Sequence, residues 1–312
     1  MIRAEAFVPV AVTRRSGYDE SIHHGAVVAL GGDGALAWAA GDADVPIYPR
    51  SSLKPLQAAA MVEAGLCVDA ELLAVVCASH DGRAEHLDAV LRLLRDAGLS
   101  EHDLENTPSF PLEEAAHSDA LRRGVEPSPL LQNCSGKHAG MLATAVVNGW
   151  PTGGYLQPEH PVQSLIAAHL DRVAGPAAHV GVDGCGAPAL VIGLRALTAA
   201  VRDVAVRSGP VHHAMTSHPA LVGGPQRDVT VLMQLVDGLL AKDGAEGVFV
   251  AAVPDGRAVG VKIADGASRA CGPVMVAALR TLGVDVPAGA LEQSVLGHGR
   301  PVGEVRAIVG QG

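Results

Sequence analysis

The chain has 312 residues and a mass of 31.7 kDa, enough for a substantial core in one large or two interlocked domains. Apolar residues make up 48% and charged ones 18%, and with a mean hydropathy of +0.26 this excludes a disordered chain, while every apolar run stops short of a bilayer span. The formal net charge of −10 argues against nucleic acid or anionic lipid as a partner, and 3% aromatics leave no stacking platform for bases, so a small-molecule ligand is expected.

The first fifty residues read as strands. Ala26 to Leu30 is short and apolar, Gly31-Gly32-Asp33-Gly34 tolerates positive φ, and Ala35 to Ala40 resumes the apolar run, which predicts a hairpin. The middle of the chain reads helical over Leu53 to Gly65, Glu85 to Gly98, His138 to Asn148, Val162 to Val173, Pro188 to Val204 and Asp228 to Ala241. A strand-like Val180 to Val182 interrupts this block. Strands return at Gly247 to Val253 and Ala258 to Ile263, and Val274 to Leu282 forms a closing helix. The expected fold class is α+β: a single two-lobed domain over 1–312, with an antiparallel sheet from strands in 8–50 and 245–312 and a helical block over 51–244. No internal repeat is visible.

Met1 to Glu5 is not a charged leader followed by an apolar stretch, so no secretory signal is expected. The five cysteines are odd in number and include no C-x-x-C pair. They fit a reducing, cytoplasmic setting better than a disulfide scaffold.

The sharpest chemistry lies in Arg50-Ser51-Ser52-Leu53-Lys54-Pro55-Leu56-Gln57. Pro55 belongs in a first helical turn, so the helix should begin near Ser52 with Ser51 at its mouth. Ser51 and Lys54 are three apart and share one face. The helix field there favours a developing alkoxide, and a desolvated lysine can accept a serine proton. The alternative is a helix-capping Ser51 with Lys54 in water. Ser79, in Val75-Val76-Cys77-Ala78-Ser79-His80-Asp81-Gly82, leaves an apolar run at a polar turn, or else makes a local Ser turn. Lys262 lies within a β-branched strand, on its functional or its solvent side. S-x-x-K is shared with penicillin-recognising enzymes, but K-T-G and S-D-N are not found, which argues against a β-lactamase proper. Most histidines, including His23-His24 and His212-His213, are expected at the surface.

Asn133-Cys134-Ser135-Gly136-Lys137-His138 and Asp183-Gly184-Cys185-Gly186 each place a cysteine in a Gly-containing loop before a predicted helix. Such cysteines can converge, and a thiolate pair suits zinc, with Asp183, Lys137 and His138 as nearby candidates to complete the site. The alternative is two small buried side chains. Dinucleotide and P-loop spacings are not found.

Together, Arg50-Ser51-x-x-Lys54-Pro55-x-Gln57, Ser79-His80-x-Gly82, Asn133-Cys134-Ser135-Gly136-Lys137-His138, Asp183-Gly184-Cys185-Gly186, His218-Pro219 and Lys262 before Asp265-Gly266 resemble the Rhizobium-type L-asparaginases, from about residue 8 to the C-terminus. The resemblance implies a fold like glutaminases and serine β-lactamases. It also implies two Ser-Lys tandems, Ser51 with Lys54 and Ser79 with Lys262, and zinc on Cys134, Lys137 and Cys185 with a water near Asp183. A homodimer is implied as well. On this basis Ser51 is expected to attack the side-chain amide of L-asparagine with Lys54 as base. Ser79 and Lys262 would relay protons, and Arg50, His138 and Asp183 would bind substrate. The rivals are a glutaminase or other serine amidohydrolase on the same frame, a zinc-dependent amino-acid sensor without catalysis, and a structural zinc protein.

Overall fold

The computed structural model describes residues 3–310. In chain order it forms β1 (Val8–Arg15), β2 (Tyr18–Leu30), β3 (Leu36–Ala40), β4 (Pro46–Ile47), α1 (Lys54–Glu63), α2 (Ala70–Val76), α3 (Ala84–Asp96), α4 (Glu114–Arg122), α5 (Ser135–Val147) and α6 (Pro161–Ala174). There follow β5 (His179–Val182), β6 (Pro188–Gly193), α7 (Leu194–Arg207), α8 (Pro210–Ser217), α9 (Pro219–Val222), α10 (Asp228–Leu235), β7 (Leu240–Gly244), β8 (Val248–Ala252), β9 (Ala258–Ile263), α11 (Cys271–Thr281), β10 (Gln293–Gly297) and β11 (Arg300–Ala307). Contacts divide the chain into two compact units: Met1–Leu53, Val191–Arg207 and Val231–Gly312 form the first, and Lys54–Leu190 with Ser208–Thr230 the second. Among the described residues no helix is long and apolar enough to cross a membrane.

The first unit is built on an antiparallel sheet of order β10-β11-β1-β2-β9-β8-β7, with β3 also on β2. N- and C-terminal strands therefore share one sheet, and the fold is α+β. All residues of β8 and β9 are buried, because α7 and α11 both pack on these strands. Gly260 permits the close approach of α7: a Cβ there would lie 2.1 Å from Thr198 Oγ1.

The second unit is helical around α2 and α5. Asp69 caps α2 by accepting from Leu72 N at 2.8 Å. The first eleven residues of α5 are buried, and two glycines one turn apart let it lie against α2. A Cβ on Gly136 would sit 2.1 Å from Val75 O, and one on Gly140 would sit 2.8 Å from Val76 Cγ1.

Four local expectations are corrected. Pro188 to Val204 is not one helix: the run Ala189-Leu190-Val191-Ile192 forms β6, and helical spacing begins only at Leu194. Asp228 to Ala241 breaks after Leu235, where Gly238 at φ +67° turns the chain into β7. Ser51 does not stand at a helix mouth but inside a 3₁₀ turn, Arg50–Leu53, that runs directly into α1. Of the histidines expected at the surface, His212 is buried.

Candidate functional site

In the second unit, α2 ends at Val76 and the chain continues through Ser79, His80 and Asp81, whose amides alternate between two segments. Ser79 N donates to Val222 O at 2.9 Å and Asp81 N to Gly223 O at 2.7 Å, while His80 N donates to Asn133 O at 3.0 Å. Gly224 makes this approach possible, since a Cβ there would fall 1.8 Å from Asp81 Oδ2. The His80 ring bonds Ser135 Oγ at 2.8 Å and stacks on His86 at 5.2 Å. The loop is thus anchored to the start of α5.

Lys54 opens α1 and is only 2% exposed. Its Nζ donates to Ala78 O, to Ser79 Oγ at 3.1 Å and to Cys134 Sγ at 3.3 Å. Lys54 is therefore bonded to Ser79, the hydroxyl that the resemblance pairs with Lys262, and both side chains are buried.

Cys134 precedes α5 and Lys137 lies in its first turn. Cys185 comes from the turn after β5, which Asp183 shapes by accepting from Gly184 N at 2.7 Å and which closes through Gly186 N to Asp183 O at 2.9 Å. The two cysteines belong to one buried cluster, Cys134 Sγ donates to Asn133 Oδ1 at 3.2 Å, and Lys137 Nζ donates to Cys185 Sγ at 3.2 Å. The neighbouring Cys185, with Lys54 and Lys137 beside it, holds the Cys134 thiol well below its ordinary range despite burial. The neighbouring Cys134 and burial push the Cys185 thiol up. Burial disfavours the Lys137 charge, but Cys185, Cys134 and Asp183 outweigh it and raise its pKa.

This donor set fits zinc: two sulfurs of one buried cluster and an amine nitrogen beside them. Among the described residues no three His, Cys, Asp or Glu side chains group to hold a metal; a metal bound by the two sulfurs would have the Lys137 amine beside Cys185 as a third protein donor. His138 instead bonds Tyr155 Oη through Nδ1 at 3.0 Å, and burial, with Lys137 and Lys54 nearby, holds its pKa well below the usual imidazole range.

In the first unit, Arg50 adopts φ +54°, a left-handed conformation costly for a residue with a Cβ. The turn it opens is fixed by Ser52, whose Oγ and N both donate to Pro49 O, at 2.8 and 3.2 Å. Gly244 at the end of β7 touches the same turn, where a Cβ would lie 2.2 Å from Pro49 O. Lys262 pairs across β9 and β8 with Val248, which pairs with Gly244, so it shares the sheet face that meets the Ser51 turn. Its Nζ donates to Glu246 O, and burial holds its pKa below the ordinary lysine range, partly offset by Glu246.

Sequence reasoning missed two residues. Lys242, on the same face of β7 as Gly244, is fully buried and pairs with Asp243. It lay just beyond a predicted helix, and the cue was a lysine between an apolar pair and Asp-Gly. Tyr155, also fully buried, carried no motif.

The sequence pattern of L-asparaginase II matches residues 11–307. A comparison with curated proteins gives no match. Among solved structures the chain is similar to a β-lactamase from Mycobacterium bovis, with 16% identity over 78% of this chain and 88% of that one at a TM-score of 0.41. It is also similar to a putative β-lactamase from Bacteroides dorei, with 17% identity over 83% and 92% at a TM-score of 0.42. With a match that takes in nearly every segment described above, the chain belongs to the L-asparaginase II family.

Proposed function

We propose that the protein hydrolyses the side-chain amide of L-asparagine to L-aspartate and ammonia through a lysine-activated serine. Family membership supports an amidohydrolase. The observation that carries the mechanism is the buried Lys54 Nζ 3.1 Å from Ser79 Oγ.

As a neutral amine, Lys54 keeps two N–H bonds, for Ala78 O and Cys134 Sγ, and turns its lone pair to the Ser79 hydroxyl. Ser79 Oγ then attacks the side-chain carbonyl as its proton passes to Lys54 Nζ. The C–N bond of the tetrahedral intermediate breaks as Lys54 returns that proton to the leaving nitrogen, giving ammonia and an aspartyl ester. Water, deprotonated by the same amine, releases aspartate and restores the hydroxyl.

A second reading places Ser51 as the nucleophile with Lys54 as its base. The strained φ of Arg50 immediately before Ser51 favours it, since such strain concentrates where a side chain must be held for function. In either reading Lys262 relays protons, and Arg50, His138 and Asp183 contact substrate. Zinc held by Cys134, Lys137 and Cys185 would keep both sulfurs as thiolates and Lys137 as a neutral amine, and would offer a Lewis-acidic ion for substrate recognition.

Ammonia release from asparagine and from glutamine, with and without added zinc, tests the activity. Asparagine should be preferred, because the extra methylene of glutamine must also fit. Asparagine binding without ammonia release would instead support a sensor. Acid-quenched digests locate the ester: an aspartyl adduct on Ser79 that survives Ser51→Ala supports the first reading, and an adduct on Ser51 overturns it.

A further inference from the structure

Asp81 follows Ser79 by two residues, and the loop between α9 and α10 wraps its side chain. The Asp81 side chain is only 7% exposed and faces Arg227, whose Nη1 donates to Oδ1 at 3.2 Å. Gly224 makes room for the other carboxylate oxygen, and Gly223 makes room for the arginine stem: a Cβ at 223 would lie 3.0 Å from Arg227 Cβ and 3.1 Å from its Cγ. Arg227 N closes the loop by donating to Gly224 O at 3.1 Å. The main chain of Asp81 is held as well, since its N donates to Gly223 O at 2.7 Å and its O accepts from Glu113 N at 3.1 Å.

Stability does not account for this pair. Burial pushes the Asp81 carboxyl up, Arg227 and His86 pull it down, Glu113 pushes it up again, and the net direction is upward. The folded protein therefore accommodates this carboxylate less readily than water does. A buried ion pair of this kind is weak support for a fold, and its use lies in fixing one arrangement over others. Here the arrangement joins two segments. The loop that carries Arg227 begins at Val222, whose O accepts from Ser79 N at 2.9 Å. The segment that carries Asp81 also carries Ser79 Oγ, 3.1 Å from Lys54 Nζ.

We infer that Asp81 and Arg227 are positioning residues for the reaction: their ion pair locks the 223–227 loop onto the segment Ser79–Asp81 and so sets the Ser79 hydroxyl at the Lys54 amine. The chemical half of this inference rests on the function proposed above, with Ser79 as the nucleophile. Both side chains act through the backbone at 79–81 and 222–224 rather than on the substrate. Asparagine in place of Asp81 keeps the shape and loses the charge, and methionine in place of Arg227 keeps the stem over Gly223 and loses the guanidinium.

The test uses Asp81→Asn, Arg227→Met, the double variant and Arg227→Lys. Hydrogen exchange read by NMR should show the Ser79 amide exchanging about tenfold faster in each of the first two variants, relative to amides in the middle of α5. In the same two variants kcat for asparagine should fall about tenfold, as a shift of the reacting oxygen by a fraction of an ångström requires, with KM within about threefold. The double variant should be no slower than the slower single one, because the two side chains act as a unit. Arg227→Lys restores a positive charge, and its kcat should lie between those of Arg227→Met and the wild type. A Ser79 amide that keeps pace with α5 in both variants overturns the inference whatever the activity. So do a kcat within about twofold of the wild type, losses that add in the double variant, and a rise in KM alone, which would put Arg227 on the substrate. A wild type that releases no ammonia from asparagine, with the Ser79 amide freed in both variants, would count against the proposed function alone and leave the positioning role of the pair supported.

Discussion

Gly136→Ala tests the packing that places Lys137 and His138. A methyl group at position 136 would stand 2.1 Å from Val75 O and 2.8 Å from Val75 C. Both are backbone atoms of a buried helix, so no side chain can rotate away, and α5 would have to move off α2 by more than an ångström to reach ordinary contact. Alanine is favoured over glycine within a helix by about 1 kcal/mol, whereas overpacking a close contact costs about 1–3 kcal/mol. With a contact this short the upper end of that range applies, and the net loss is about 2 kcal/mol. For a protein of this size that corresponds to a fall in Tm of roughly 3 °C. Gly140→Ala is the internal control: its methyl meets the Val76 side chain at 2.8 Å and Met61 Sδ at 3.3 Å, groups that can adjust, so the loss should be smaller. Thermal melts followed by circular dichroism read both variants. The reasoning fails if Gly136→Ala melts at or above the wild type, or if Gly140→Ala is the more damaging.

Burial, with the stacked partner and Lys54 beside it, holds His80 well below the ordinary imidazole range, and burial lowers His86. The unfolded chain therefore binds more protons than the folded one, and the stability these rings contribute is complete above about pH 6.5 and is lost as pH falls below it. The slope is up to about 1.4 kcal/mol per pH unit for each ring; melts from pH 7.5 to 5 check it, and His80→Asn should flatten the curve. Arg50→Gly and Arg50→Ala lose the same side chain, but only glycine is relaxed at φ +54°; urea titration should find the glycine variant more stable by about 1 kcal/mol. Cys134→Ser should lower bound zinc, read by atomic emission, and weaken asparagine turnover while leaving the melt cooperative; a chelator should do the same, whereas collapse of the fold on chelation would mark the metal as structural.

Much of the fold could be read from local patterns. The hairpin after Ala26, the helices at Glu85, His138 and Val162, and the strands on either side of Pro254-Asp255-Gly256 are bounded by turn residues and have unmixed periods. The failures occurred where two elements abut without such punctuation. Ala189 to Ile192 is apolar enough to continue a helical stripe, and only its β-branching separates β6 from α7. Gly238 ends α10 but was absorbed into the predicted helix, and that hid β7 and with it Lys242. The candidate site divided along similar lines. Cys134, Lys137 and Cys185 were legible because reactive residues stood in Gly-containing loops. The bond from Lys54 to Ser79 was not legible, since 24 intervening residues separate the pair in sequence and their meeting depends on tertiary folding. Tyr155 belongs to the same class: its meaning lies in the atoms its hydroxyl touches.

The alternating tether of Ser79, His80 and Asp81 also bears on how this protein could change. Each amide along that tripeptide is moored to the opposite bank from its neighbour, Val222–Gly223 on one side and Asn133 on the other. Cutting one mooring leaves the hydroxyl guyed from the far bank, so drift in either loop is resisted by the other. New substrate preferences could then be explored by altering side chains along both banks while the Ser79 hydroxyl keeps its station.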